Sequence, residues 1–107
     1  METVGTLGQF EQLVLIAAFL LSGEGYVIKI HEKVCELGGK RYQLGTVFVS
    51  LERMAKRGLV TSWYEEPGAE RRGRAKRFFK VTPAGKLALK QAKVTAAVIV
   101  NGLKDLI

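Results

Sequence analysis

Cysteine is nearly missing from this 107-residue chain, where Cys35 stands alone. A single thiol excludes an intrachain disulfide, argues against a cysteine-based metal site, and suits a reducing compartment such as the cytoplasm. Long hydrophobic runs are missing too. The longest, Leu13 to Leu21, has nine residues, about half of the ~20 needed to span a bilayer. It reads as a buried helix, and no membrane partner is expected. No secretory signal is visible. The chain has no glycine-rich phosphate loop, nucleophile elbow or His-Glu zinc motif. Glu65, Glu66 and Glu70 fall on a loop without the apolar surroundings that tune a catalytic carboxylate. His31 and Cys35, four apart, have no further ligand group near them in sequence to complete a zinc site. An enzyme is therefore not expected, nor is a metal or a cofactor.

Acidic residues are scarce where basic ones gather. The formal net charge is +7, and between Glu70 and Lys80 the side chains of Arg71, Arg72, Arg74, Lys76, Arg77 and Lys80 face a single acid. A concentration of that kind points to a phosphate backbone or another anionic surface as partner. The runs on either side, Leu59 to Tyr64 and Lys76 to Val81, are rich in β-branched and aromatic residues. Pro67, Gly68 and Gly73 lie between them, so the segment reads as a hairpin with a basic tip.

Upstream, helical periodicity dominates. From Leu7 the apolar positions Phe10, Leu13, Val14, Ala17, Leu20 and Leu21 describe a helix that becomes apolar nearly all round and belongs in the middle of the fold. Ser22 to Gly25 end it. A second helix carries Val27, Ile30, Val34 and Leu37 on one stripe until Gly38 and Gly39 stop it. After the link Lys40 to Tyr42, a third helix buries Leu44, Val47, Leu51 and Met54 and stops at Gly58. Two helices joined by a short glycine-containing turn and followed by a basic hairpin make a winged helix-turn-helix. The fold class expected is mostly α with a small β-hairpin.

The third helix has a second face. Thr46, Ser50, Arg53 and Arg57 fall at i, i+4, i+7 and i+11 and share one line, with Gln43 at the N-terminal end. Gln and Arg make bidentate hydrogen bonds to adenine and guanine edges, and Thr and Ser offer a hydroxyl to bases or phosphates. Those are the side chains of a helix that reads the major groove.

Four segments now resemble the PadR-type transcriptional regulators: Leu7-Gly8 with the first helix; Gly25-Tyr26 through Ile30; Leu44-Gly45-Thr46-Val47-Phe48 with Leu51-Glu52-Arg53-Met54; and Thr82-Pro83-Ala84-Gly85-Lys86-Leu87-Ala88-Leu89. The resemblance implies a dimeric repressor whose third helix enters the major groove and whose wing reaches the backbone or minor groove. It also implies that Gly45 lets the helix approach closely, that Thr46 and Ser50 lie against the groove and that Tyr26 lies near a phosphate. Phe48 stands where the family commonly has tyrosine, Gln43-Leu44 where it often has Ser-Pro, and Val27 where glycine is usual. The recognition surface expected from both readings is Gln43, Gly45, Thr46, Phe48, Val49, Ser50 and Arg53, with Tyr26 and Arg57 on the backbone. Arg71, Arg72, Arg74, Lys76 and Arg77 form the wing.

Beyond Thr82, a good N-cap followed by Pro83 at the first helical position, one long helix is expected to the C-terminus. Leu87, Val94, Val98, Ile99, Leu103 and Leu106 give it an apolar stripe that so small a domain can hardly cover. Residues 1–82 are thus expected to form the DNA-binding domain and 83–107 a dimerisation helix that pairs with a second copy; the alternative is a helix folded back on Leu13 to Leu21. Ending after this helix, the chain resembles the short PadR subgroup. The expected function is a sequence-specific transcriptional regulator, a homodimeric repressor on an inverted-repeat operator in double-stranded DNA, with release by a small apolar effector as a compatible addition. The alternative is a winged-helix module that binds protein or RNA without operator specificity.

Overall fold

A computed structural model of the protein describes residues 7–65 and 76–106. Its elements are α1 (Gln9–Leu20), α2 (Val27–Gly38), α3 (Leu44–Lys56), β1 (Val60–Glu65), β2 (Lys76–Val81) and α4 (Pro83–Gly102). The fold is a winged helix-turn-helix with a long last helix. The core lies where α1, α2 and α3 meet the open end of the hairpin, at the Val60–Val81 pair. Val14, Leu15, Ile30, Val34, Val47, Leu51, Met54, Leu59 and Phe79 are buried there, with Val60 and Val81 at its edge.

Local chemistry sets the element ends. Gly8 is the N-cap residue of α1, and its N–H donates to Glu11 Oε1 at 2.9 Å, the half of a capping box that needs no N-cap side chain. Gly39, in the left-handed region at φ 68°, ends α2 and turns the chain toward α3. Thr82 caps α4: its hydroxyl accepts from the Gly85 N–H at 3.0 Å and donates to the Gly58 carbonyl at 2.6 Å. This cap fastens the start of α4 to the start of β1. Gly85 is buried, and a Cβ there would collide with the Leu59 carbonyl and approach Val81 Cγ1 to 2.7 Å. The close approach requires glycine.

The strands pair antiparallel, with Val60 opposite Val81 and Tyr64 opposite Arg77. Period-2 alternation then puts Val60, Ser62 and Tyr64 with Arg77, Phe79 and Val81 on the core side, and Trp63 with Lys76 and Phe78 on the other. Gly25-Tyr26 lies alongside β2, where the Phe79 N–H donates to the Gly25 carbonyl at 2.8 Å.

Several expectations change. Leu37 and Leu44, placed on buried stripes by periodicity, are 41% and 42% exposed because each sits at a helix end beyond the core. On the outer face of the hairpin Trp63 stacks on Phe78 at 5.6 Å. The last helix ends at Gly102 instead of running on, so Leu103 and Leu106 lie in the turn that follows. Of α4 only Gly85 and Ala88 are buried, and its second half runs clear of the core. Ile99 continues the line of Ala88 and Ala92 past the core's edge, and Leu87, Val94 and Val98 form a second exposed apolar line.

Candidate nucleic-acid interface

The side chains that α3 buries define the arc it leaves free. Val47, Ser50, Leu51 and Met54 face the core, and the opposite arc exposes Gly45, Thr46, Val49, Arg53 and Lys56, with Gln43 at its head as the N-cap. This arc carries a hydroxyl, an amide and two cations and no carboxylate. Thr46 and Gln43 can bond base edges, and Arg53 and Lys56 can reach bases or phosphates.

Two predicted groove residues are turned away. Ser50 is 7% exposed and its hydroxyl is buried without a hydrogen-bond partner. It follows Val47 by three residues and precedes Met54 by four, so it shares their side of the helix, at the edge where the exposed Thr46 and Arg53 begin the free arc. Phe48 is half-buried and faces the hairpin, where the Arg77 guanidinium lies 5.6 Å from its ring. Lys56 joins the arc although the line of polar positions passes it by. Its place three after Arg53 and seven after Val49 already puts it there once Val47, Leu51 and Met54 are taken as the core.

The arc's flanks are basic. Arg57, the C-cap residue of α3, extends to Glu11 at 3.4 Å and ties that end to the first turn of α1. Exposed Lys40 and Arg41 precede the helix. The turn before α3 is braced by α2, since His31 Nε2 donates to the Tyr42 carbonyl at 2.7 Å and the Tyr42 N–H donates to Cys35 Sγ at 3.4 Å. Among the described residues no three metal-ligating side chains cluster.

The hairpin divides its cations. Lys76 Nζ sits 4.1 Å above the ring of Tyr26, the N-cap residue of α2, so these two predicted contacts lie together on the outer face. Arg77 departs from expectation. Its guanidinium turns inward to Glu52 at 2.6 Å and to the Ser62 hydroxyl at 3.0 Å, leaving the side chain 19% exposed. Glu52 holds Arg77 above the usual arginine range, against an opposing effect of burial. Alternation explains the inward turn, because Arg77 is in phase with Phe79 and Val81. Arg71, Arg72 and Arg74 lie outside the described residues.

Residues 16–91 match the family described as "Transcriptional regulator PadR-like family". No curated relative matches the sequence. Among solved structures, a PadR-like transcription factor from Bacteroides fragilis superposes with a TM-score of 0.74 at 19% identity, covering 94% of this chain and 91% of that one. A PadR family transcription regulator from Clostridium difficile R20291 gives 0.74 at 21% identity, covering 91% and 96%. Bordetella bronchiseptica BpsR, whose DNA binding is regulated by 6-hydroxynicotinic acid, gives 0.65 at 20% identity, covering 95% and 68%.

Proposed function

Because the chain belongs to the PadR-like family of transcriptional regulators, we propose that it is a homodimeric repressor that binds an inverted-repeat operator in the cytoplasm. The observation that carries this reading is the exposed arc of α3, where Gln43, Gly45, Thr46, Val49, Arg53 and Lys56 present hydrogen-bonding and cationic groups with no acid among them. Gly45 lets the helix approach the groove, Thr46 and Gln43 read base edges, and Arg53 and Lys56 add contacts to bases or phosphates. Arg57, Tyr26 and Lys76 lie toward the flanking backbone, and Arg71, Arg72 and Arg74 add positive charge for phosphates.

The apolar lines of α4, through Leu87, Val94, Val98 and Ile99, continue to Leu103 and Leu106 in the turn that follows. Left exposed on one protomer, they support residues 83–107 as the dimerisation element. Pairing them about a twofold axis covers the apolar surface and sets two recognition helices one DNA turn apart. A small apolar effector entering between these helices would shift the two reading heads relative to each other. No helix of the described residues is long and apolar enough to cross a membrane.

Selection of bound duplexes from a random DNA pool tests this reading. The expected result is an inverted repeat with half-site centres about 10–10.5 base pairs apart. A folded protein that enriches no sequence at moderate salt would instead be a winged-helix module for protein or RNA.

A further inference from the structure

Arg77 draws three elements together at the place where the hairpin leaves the core. On the core side of the hairpin, Val60, Val81 and Phe79 are buried, whereas Tyr64, opposite Arg77, is largely exposed. Packing against the helices therefore fades between Phe79 and Arg77. At that level the Arg77 guanidinium engages Glu52 of α3 at 2.6 Å and Ser62 of β1 at 3.0 Å. It also lies 5.6 Å from the Phe48 ring of α3, 4.9 Å from Phe79 and 5.5 Å from Tyr64. A planar fork can hydrogen-bond at its edge while its faces rest on aromatic rings; an ammonium cannot do both. Glu52 belongs to the turn of α3 that also carries Arg53.

We propose that Arg77 is a positioning residue, a strut that sets the angle between the wing and the recognition helix so that both meet one duplex. The proposal rests on the DNA-binding reading above and adds to it a specificity role exerted through Glu52 and not through a phosphate. It has a second consequence. Paired with Arg77, the Glu52 carboxylate beside the reading arc is neutralised and held away from DNA.

Glu52→Gln separates this role from direct contact. If Arg77 gripped a phosphate, removing the acid beside it would leave binding unchanged or tighten it. A strut predicts the opposite: Glu52→Gln and Arg77→Lys each weaken the selected duplex by roughly 2- to 30-fold, the range of coupling through packed networks, and the double variant is no weaker than the worse single one. Arg77→Lys keeps the charge and needs no large repacking, so it serves even where Arg77→Gln fails to fold. Amide hydrogen exchange on the DNA-free protein gives a second reading. Both variants should speed exchange at the Tyr64 and Arg77 end of the ladder roughly tenfold while the Val60 and Val81 end stays protected. Unchanged exchange would overturn the strut. So would normal or tighter binding by Glu52→Gln alongside an Arg77→Gln protein with a shallower salt dependence. Should the unmodified protein select no duplex, the DNA reading fails, and the exchange comparison still decides whether Arg77 holds the hairpin.

Discussion

Charging both exposed apolar lines of α4 should split the proposed dimer while sparing the fold of each protomer. Val98 and Ile99 are 67% and 54% exposed on one protomer. Full burial of such a side chain is worth about 1.5–3 kcal/mol, so covering the exposed part contributes about 1–2 kcal/mol each. Twofold symmetry counts every side chain twice, which brings these two positions to about 4–8 kcal/mol per dimer. Val98→Glu with Ile99→Glu removes that contribution and places four carboxylates in an apolar seam. Since about 1.4 kcal/mol is a factor of ten, dissociation should become easier by roughly a thousandfold or more. Light scattering over a concentration series reads the mass, and far-ultraviolet circular dichroism checks that the helices persist. A well-folded double variant with an unchanged dimer mass would show that this part of α4 is not the interface.

Three further outcomes follow from single features. Ser50→Ala removes a buried hydroxyl that has no partner, so thermal stability should hold or rise slightly and DNA preference should not change; altered base preference would return Ser50 to the reading face. Gly85→Ala forces a methyl against the Leu59 carbonyl, and denaturant melts should show a loss of about 1–3 kcal/mol or more, whereas wild-type stability would mean that α4 can shift off β1. Arg72→Ala with Arg74→Ala should reduce the slope of log affinity against log salt by roughly 0.9 for each phosphate that is no longer neutralised, with little effect on melting temperature; an unchanged slope would take these arginines off the DNA.

Much of the fold is written in local chemistry. Glycine stops and apolar periodicity bracket α2 and α3 to within a residue or two, and Thr82-Pro83 marks the start of α4, because capping and φ restriction act over a few residues and read directly from the chain. The misjudged residues sit where residue type and geometry disagree. Ser50 is polar, which argues for the outer face, yet Val47 three residues before it and Met54 four after it are core. Arg77 belongs to a charge run, and that run masks the two-residue period linking it to Phe79 and Val81. The partner that draws it inward, Glu52, is distant in sequence and adjacent only after folding. At the end of α4, Asn101-Gly102 offers a stop, but the apolar Leu103 and Leu106 invite continuation.

The central claim, that the exposed arc of α3 reads DNA sequence, meets its most direct test in Thr46. This side chain is uncharged, exposed and near the head of the helix, so its removal should change base readout without changing the electrostatic attraction. Random-pool selection repeated with Thr46→Ala, followed by titration of the recovered duplexes, should relax the preference at one base pair in each half-site by about 1–3 kcal/mol. Affinity for unrelated duplexes should stay nearly constant. Equal weakening of every duplex, or an unaltered recovered sequence, would contradict the assignment of this arc as the reading surface.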